Sequence, residues 1–193
     1  MGLVTTLHVE LPGWLVDRLE ELPAVLPTLE ERMDVADELA DLTWRSGDGG
    51  PFAALVVEED GTVLSVGVNL VPRTGLSALH AEVTALTLAQ QRMGGWDLGA
   101  GGARRQLVVN ARPCVQCFGA VLWSGVRSLV IGADGPEVEE ATGFDEGPMV
   151  ADWIEQLSAR GIDVTVGVRH APALQVLRDF GASDSLVYNP RGE

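Results

Sequence analysis

From Leu29 onward apolar residues recur at Met33, Val35, Ala36, Leu39, Ala40 and Leu42, a spacing that gathers them on one side of a helix. Gly47 to Gly50 then stop it. The period changes after that point. Phe52–Val57 and Thr62–Val71 flank Glu58-Glu59-Asp60-Gly61, which predicts two antiparallel strands joined as a hairpin. Ser77 is the expected N-cap of a helix over Ala78–Met93, with Ala81, Ala85, Leu88 and Ala89 as its apolar face and Gly94-Gly95 as its stop. A strand at Gln106–Val109 follows, then a helix over Cys114–Trp123 with Pro113 at its first position, then a strand at Ser128–Gly132. Asp134 to Gly147 is acidic, holds no period and reads as irregular. Helix Met149–Arg160, a turn at Gly161 and strand Asp163–Val168 make a strand-helix-strand crossover. Its expected right-handedness leaves the last two strands parallel. Helix Ala171–Phe180 packs back on the sheet, and residues 181–193 form a tail. Residues 1–28, with prolines at 12, 23 and 27, read as an arm packed on the domain, with one short helix over Trp14–Leu22.

Composition narrows the class. A chain of 193 residues with 46% hydrophobic content is read as one domain, residues 1–193, long enough to bury a single core. Thirteen basic against 28 acidic residues give a net charge of −15, which repels a phosphate backbone. Nucleic acid is therefore not the expected partner, in spite of Arg104 and Arg105 standing together, and a small molecule is. No long apolar run and no basic-then-apolar leader is present, so membrane association is not expected and the cytoplasm is the expected location. The glycine-rich stretch Gly94–Gly102 leads into a strand, not a helix, and so does not read as a phosphate cradle.

The candidate chemistry lies in two short segments, His80-Ala81-Glu82 and Pro113-Cys114-Val115-Gln116-Cys117. The chain has two cysteines, and both are here. His80, Cys114 and Cys117 make three ligands for Zn²⁺, which leaves the fourth position open for water or substrate, as in catalytic and not structural sites. Two thiolates and a neutral imidazole bring the site to zero formal charge, so that a bound water can lose its proton to a nearby base, and Glu82 is the adjacent carboxylate. Cysteines at a helix terminus also gain from the peptide dipoles as thiolates. His-x-Glu paired with Pro-Cys-x-x-Cys is a signature of zinc deaminases. A thioredoxin-like redox pair is the competing reading of Cys-x-x-Cys, but it leaves His80 and Glu82 without a role.

With Gly50-Pro51-Phe52-Ala53-Ala54, Asn69, the segment Pro113 to Ala120, Trp123-Ser124-Gly125-Val126-Arg127-Ser128-Leu129 and Gly143-Phe144-Asp145-Glu146-Gly147-Pro148 in view, the chain resembles the cytidine-deaminase superfamily. Within it the chain looks like bacterial guanine deaminases that also accept aminotriazines, and the Phe-Asp-Glu-Gly-Pro run is the discriminating segment. The resemblance implies a three-layer α/β/α fold with a five-stranded mixed sheet, the last two strands parallel, and hydrolysis of guanine to xanthine and ammonia. It further implies Zn²⁺ as cofactor, Glu82 as the proton relay, and Glu146 as a second catalytic carboxylate that orients the purine edge and helps to protonate the leaving amine. Asn69 would hydrogen-bond the ring, Phe52 and Phe144 would flank it, and Ala81 joins the substrate-binding residues. A small-molecule nucleobase or triazine as partner, a homodimer, and a tail capping its own or a neighbouring site follow from the same resemblance. The competing readings are Phe52 as ordinary sheet core and Glu146 as a solvated loop carboxylate. The alternatives are deamination of ammeline or a related triazine, of cytosine or of a nucleoside, and a non-catalytic nucleobase-binding module. Arg112 stands where such relatives usually carry an acidic residue, and Leu79 where they carry a smaller one; both are expected beside the pocket mouth.

Overall fold

The computed structural model describes residues 2–189. Helices α1 (Gly13–Glu21) and α2 (Leu29–Arg45) precede a hairpin of β1 (Ala53–Val57) and β2 (Val63–Val68), followed by one short turn, α3 (Val71–Thr74), and helix α4 (Ala81–Met93). Then come β3 (Gln106–Ala111), α5 (Val115–Ser124), β4 (Ser128–Ala133), α6 (Gly135–Thr142), α7 (Trp153–Ser158), β5 (Asp163–Thr165) and α8 (His170–Gly181). The five strands form one sheet in the order β2-β1-β3-β4-β5. β1 is antiparallel to both its neighbours, whereas β3, β4 and β5 run parallel.

Alternation along the strands sorts the core into two layers. Ala54, Val56, Leu107, Val109, Leu129 and Ile131 face α4, α5 and α7. Ala53, Leu55, Val57, Val108 and Val130 face α1 and α2, and α8 packs on β4 and α2 on that same side. A third cluster of Ala111, Ala133, Val138, Ala173, Leu174 and Leu177 closes the carboxyl ends of β3 and β4 under α6 and α8. This is the expected three-layer arrangement with its parallel last pair. Among the described residues no helix is long and apolar enough to cross a membrane.

Several boundaries differ from the sequence reading, each for a local reason. α2 begins with a full capping box, Thr28 accepting from the Glu31 amide while the Glu31 carboxylate accepts from the Thr28 amide. α4 is capped by His80 and not by Ser77, because Gly75 ends α3 in a left-handed turn and the chain reaches His80 extended. His80 therefore sits at the cap and only Glu82 in the first turn. Pro113 likewise precedes the cap, which is Cys114 itself. Leu88 is half-buried, and Leu86 takes its place in the core. The acidic stretch contains a helix, α6, with Asp134 as N-cap and Gly143 as left-handed stop; its charges hid these signals. Val71 belongs to α3 and not to β2, and β3 runs on to Ala111. α7 starts only at Trp153, with Asp152 at its N-cap position; upstream the Met149 amide turns back onto the Gly147 carbonyl and the Glu146 carbonyl accepts from the Val115 amide. β5 stops at Thr165, before a positive-φ glycine at 167. The N-terminal arm packs only in part. Leu15 of α1 is fully buried, while Leu3, Val4 and Leu7 stand in solvent.

α4 lies so close to β2 that residue 67 has no space for a side chain. A Cβ on Gly67 would overlap the Ala85 amide and the Ala81 carbonyl, so this glycine sets the depth at which α4 docks. Gly67→Ala is expected to destabilise the fold by about 1–3 kcal/mol and to reduce metal retention, because α4 carries Glu82 and starts at His80. Urea unfolding checks it; a midpoint equal to wild type would show that the contact relaxes freely.

Candidate active site

The starts of α4 and α5 meet beyond the carboxyl ends of the parallel strands, where open α/β sheets place their ligands. Both N-cap residues, His80 and Cys114, have extended backbones, and neither uses its side chain to cap its helix. Their side chains point instead at each other and at Cys117, one turn into α5. His80 Nδ1 lies 3.5 Å from Cys114 Sγ and 3.6 Å from Cys117 Sγ, and the three ligand atoms fall within 4.8 Å of one another. Nitrogen and sulfur bound to one tetrahedral zinc at ordinary bond lengths stand about 3.5 Å apart, so the triad has the size of a zinc site.

The groups around it are buried and electrically coupled. The hydrogen bond from Cys117 first, and after it the one from His80, hold the Cys114 thiol down at about 4 in spite of burial. The same Cys114 bond and burial push the Cys117 thiol up. One thiolate thus stands ready, and the second forms when a metal displaces its proton. Burial, then the charge of Cys114, pushes the Glu82 carboxyl upward. Burial first, then the charges of Cys114 and Glu82, pushes the Glu146 carboxyl up to about 8, against the opposing charges of His80 and Arg112.

His80, Glu82, Cys114 and Glu146 line one cavity of about 600 Å³, together with Phe52, Asn69 and Phe144. Ala81 does not join them; its side chain is fully buried in the core beneath α4. Glu146 is brought in by its own backbone, whose carbonyl accepts from the Val115 amide at 3.1 Å. Asp145 closes a turn by accepting from the Gly147 amide at 2.9 Å. Phe144 stacks on Phe180 at 5.5 Å between ring centroids and meets Phe52 at 5.4 Å. Asn69 Oδ1 accepts from the amides of Val71 at 3.2 Å and Gly50 at 3.4 Å. A second, more open hollow of about 560 Å³ between α1 and α2, lined by Trp14, Leu42 and Arg45, holds none of these metal-ligand residues.

Three further residues shape the cavity, and the sequence reading assigned none of them a role of its own. Tyr188 packs on Phe144 at 4.8 Å and lines the cavity; burial pushes its phenol up, against hydrogen bonds from Asn69 and the Gly50 backbone. Asn189 accepts from the Asp145 amide at 3.0 Å and donates to the Gly143 carbonyl at 2.9 Å. The tail therefore lies across the chain's own site as far as Asn189, while the rest of it, residues 190–193, lies outside the described residues. Asn110, fully buried, accepts from the Ala53 amide at 3.0 Å and donates to the Pro51 carbonyl at 2.9 Å, which holds Phe52 at the wall. The signals were faint: the single tyrosine of the chain in its tail, and one asparagine at the end of an apolar strand.

A five-stranded α/β/α fold with an open His-Cys-Cys zinc site and a buried carboxylate beside it defines a zinc-dependent hydrolytic deaminase. The chain belongs to the cytidine and deoxycytidylate deaminase family, whose zinc-binding region matches residues 27–133. The guanine deaminase of Bacillus subtilis strain 168 is 34% identical over 138 residues, 70% of this chain and 84% of that protein. A solved guanine deaminase from Nitrosomonas europaea superposes with a TM-score of 0.87 at 44% identity, covering 94% of this chain and 100% of the other. A mutant of the protein NE0047 in complex with 8-azaguanine gives a TM-score of 0.87 at 46% identity over 92% of this chain and 98% of that one.

The protein is expected to retain about one zinc per chain after dialysis. Cys114→Ser should lose most of it and some stability with it, because the metal binds only the folded arrangement. Elemental analysis reads the outcome; undiminished zinc in Cys114→Ser would remove this cysteine from the ligand set.

Proposed function

We propose that the protein hydrolyses a free nucleobase, guanine, to xanthine and ammonia. The observation that carries this reading is the position of Glu146. A buried second carboxyl, on an arch tied to the start of α5, shares the cavity with Glu82 and the metal ligands. The similarity to guanine deaminases and to proteins solved with 8-azaguanine and 2,6-diaminopurine supports the purine.

His80, Cys114 and Cys117 would hold Zn²⁺, which would supply a water acidic enough to be deprotonated near neutral pH. Glu82 takes that proton and passes it to the ring nitrogen beside the carbon under attack. The oxygen of the water forms a new bond to C2, and as the C2–N bond to the amine breaks that oxygen becomes the carbonyl, releases its remaining proton, and ammonia leaves. Glu146, whose carboxyl is held well above the usual carboxylate range, orients the purine edge, hands a proton to the departing amine and takes up the one that the new oxygen releases. Asn69 hydrogen-bonds the ring, and Phe52 and Phe144 give the plane of the purine apolar faces to lie between. The net charge of −15 supports a free base over a polynucleotide, and thiols kept for metal suit the cytoplasm. Tyr188 and Asn189 cap the site from within the same chain.

A homodimer is part of this reading. Val115 and Trp123, two turns apart on α5, are 43% and 83% exposed, and Val115 lies at the cavity wall. A second copy covering this stripe would bury it. Trp123→Glu should turn the dimer into a monomer in analytical ultracentrifugation; a monomeric wild type would contradict this part.

Ammonia release from guanine, cytosine, cytidine and ammeline tests the substrate, and guanine is expected to be turned over fastest. Glu82→Gln should keep its zinc and lose roughly 10²–10⁴-fold in turnover, since an amide relays no proton. Glu146→Gln should lose turnover on guanine, beyond any change in affinity. Rapid cytosine hydrolysis with no reaction on guanine would sink the guanine reading, and near wild-type turnover by Glu146→Gln would return that residue to the role of a loop carboxylate.

A further inference from the structure

One residue of the cavity wall has no part in the chemistry described so far. Arg112 ends just past the carboxyl terminus of β3, two residues before Cys114, and lines the same cavity as Glu82 and Glu146. Its side chain is 10% exposed. Among the described residues its guanidinium makes no hydrogen bond, and Nε is sealed from solvent without a partner. The nearest recorded ion pair is loose, 3.9 Å from Nη1 to an oxygen of Asp134 that is 60% exposed and already accepts from the Gly135 amide at 2.7 Å.

The fold has nonetheless made room for this cation. A Cβ on Gly135, the first residue of α6, would fall inside the guanidinium, so the plane of Arg112 lies directly against a backbone that only glycine leaves open. The charge of Arg112 is felt by the Glu146 carboxyl, yet a buried guanidinium without hydrogen-bonded partners is costly, and a core residue of similar volume would avoid that cost. The arrangement makes sense where a ligand completes it. Guanidinium donors recognise acceptor oxygens and ring lone pairs, as Arg does at the oxo edge of guanine in nucleic acids.

We infer that Arg112 is a specificity-determining residue whose guanidinium, seated on Gly135, donates to an oxo oxygen of the bound heterocycle. This inference rests on the reading of the cavity as a nucleobase site. It makes the pocket selective for ring carbonyls over unsubstituted carbon, and it concerns binding alone, so it is separable from the hydrolysis itself.

Calorimetric titration of the zinc-loaded protein with hypoxanthine, which carries a ring oxo group, and with purine, which lacks it, tests the inference without turnover. Wild type should bind hypoxanthine about 10- to 100-fold more tightly, the ratio typical of one hydrogen bond to a charged group. Arg112→Met should lose most of that ratio while keeping its zinc. Gly135→Ala should lose it as well, since it keeps the charge and displaces it. Equal or undetectable affinities in wild type, or a ratio unchanged in both variants, would overturn the inference. Guanine turnover separates the two claims: selectivity without ammonia release contradicts the proposed reaction and supports Arg112, whereas turnover without selectivity contradicts Arg112 alone.

Discussion

Two helices must start at the same point in space, and the rest of the structure follows from that constraint. Helix starts are normally finished by a Ser, Thr, Asp or Asn side chain that accepts from the first free amides. α2 obeys this rule with Thr28. α4 and α5 break it: their caps are His80 and Cys114, and both side chains are withheld from capping. The site thereby gains the positive ends of two helix dipoles, with amides that no side chain caps although the Val115 amide is taken by the Glu146 carbonyl, and both ends favour thiolates and developing negative charge. The cost in helix stability is offset by the metal, which ties the two starts together. Other features serve to keep them in register. The antiparallel β1–β3 pairing and the parallel β3–β4 pairing fix where each helix begins, and the absent side chain of Gly67 fixes how deeply α4 lies.

The second consequence concerns charge. Two carboxyls, two thiols and an imidazole share one small buried volume, and burial alone disfavours ionising all of them. The structure answers with protons on some and cations near others. Burial and the neighbouring charges push the Glu146 carboxyl up, a metal would compensate the thiols, and Arg112 stands nearby against Gly135. Phe52, Phe144 and Tyr188, with Phe180 packed behind Phe144, make one side of the cavity apolar. Charges on such a wall interact more strongly than in water, which is the setting in which a positioned proton donor is effective.

The legible parts of the sequence were those written locally. His80, Glu82, Cys114 and Cys117 announced themselves because metal ligands need fixed residue types at short spacing, and the period-two strands β1, β2, β3 and β4 were found in order. The starts of α4 and α5 were misplaced by three residues and one for a related reason: Ser77 and Pro113 are good start signals, and the actual caps are residues recruited for a different purpose. α6 was missed because its acidic residues mask two sound end signals, Asp134 and Gly143. Ala81 was expected in the substrate site and lies in the core, since the first turn of α4 turns that position toward the sheet while Glu82 faces the cavity. Asn110, Tyr188 and Asn189 act through partners distant in sequence, at Pro51 and Ala53, at Phe144, and at Gly143 and Asp145. No pattern within a short window carries that information.

The central claim is that three protein ligands hold the metal and leave one position open. X-ray absorption at the zinc edge of the resting protein reads the coordination shell directly. The account predicts two sulfur atoms at about 2.3 Å and two lighter atoms at about 2.0–2.1 Å, with outer-shell scattering from a single imidazole. A shell without sulfur, or one filled by two sulfurs and two imidazoles, would contradict it, because no position would then remain for the water that the reaction consumes.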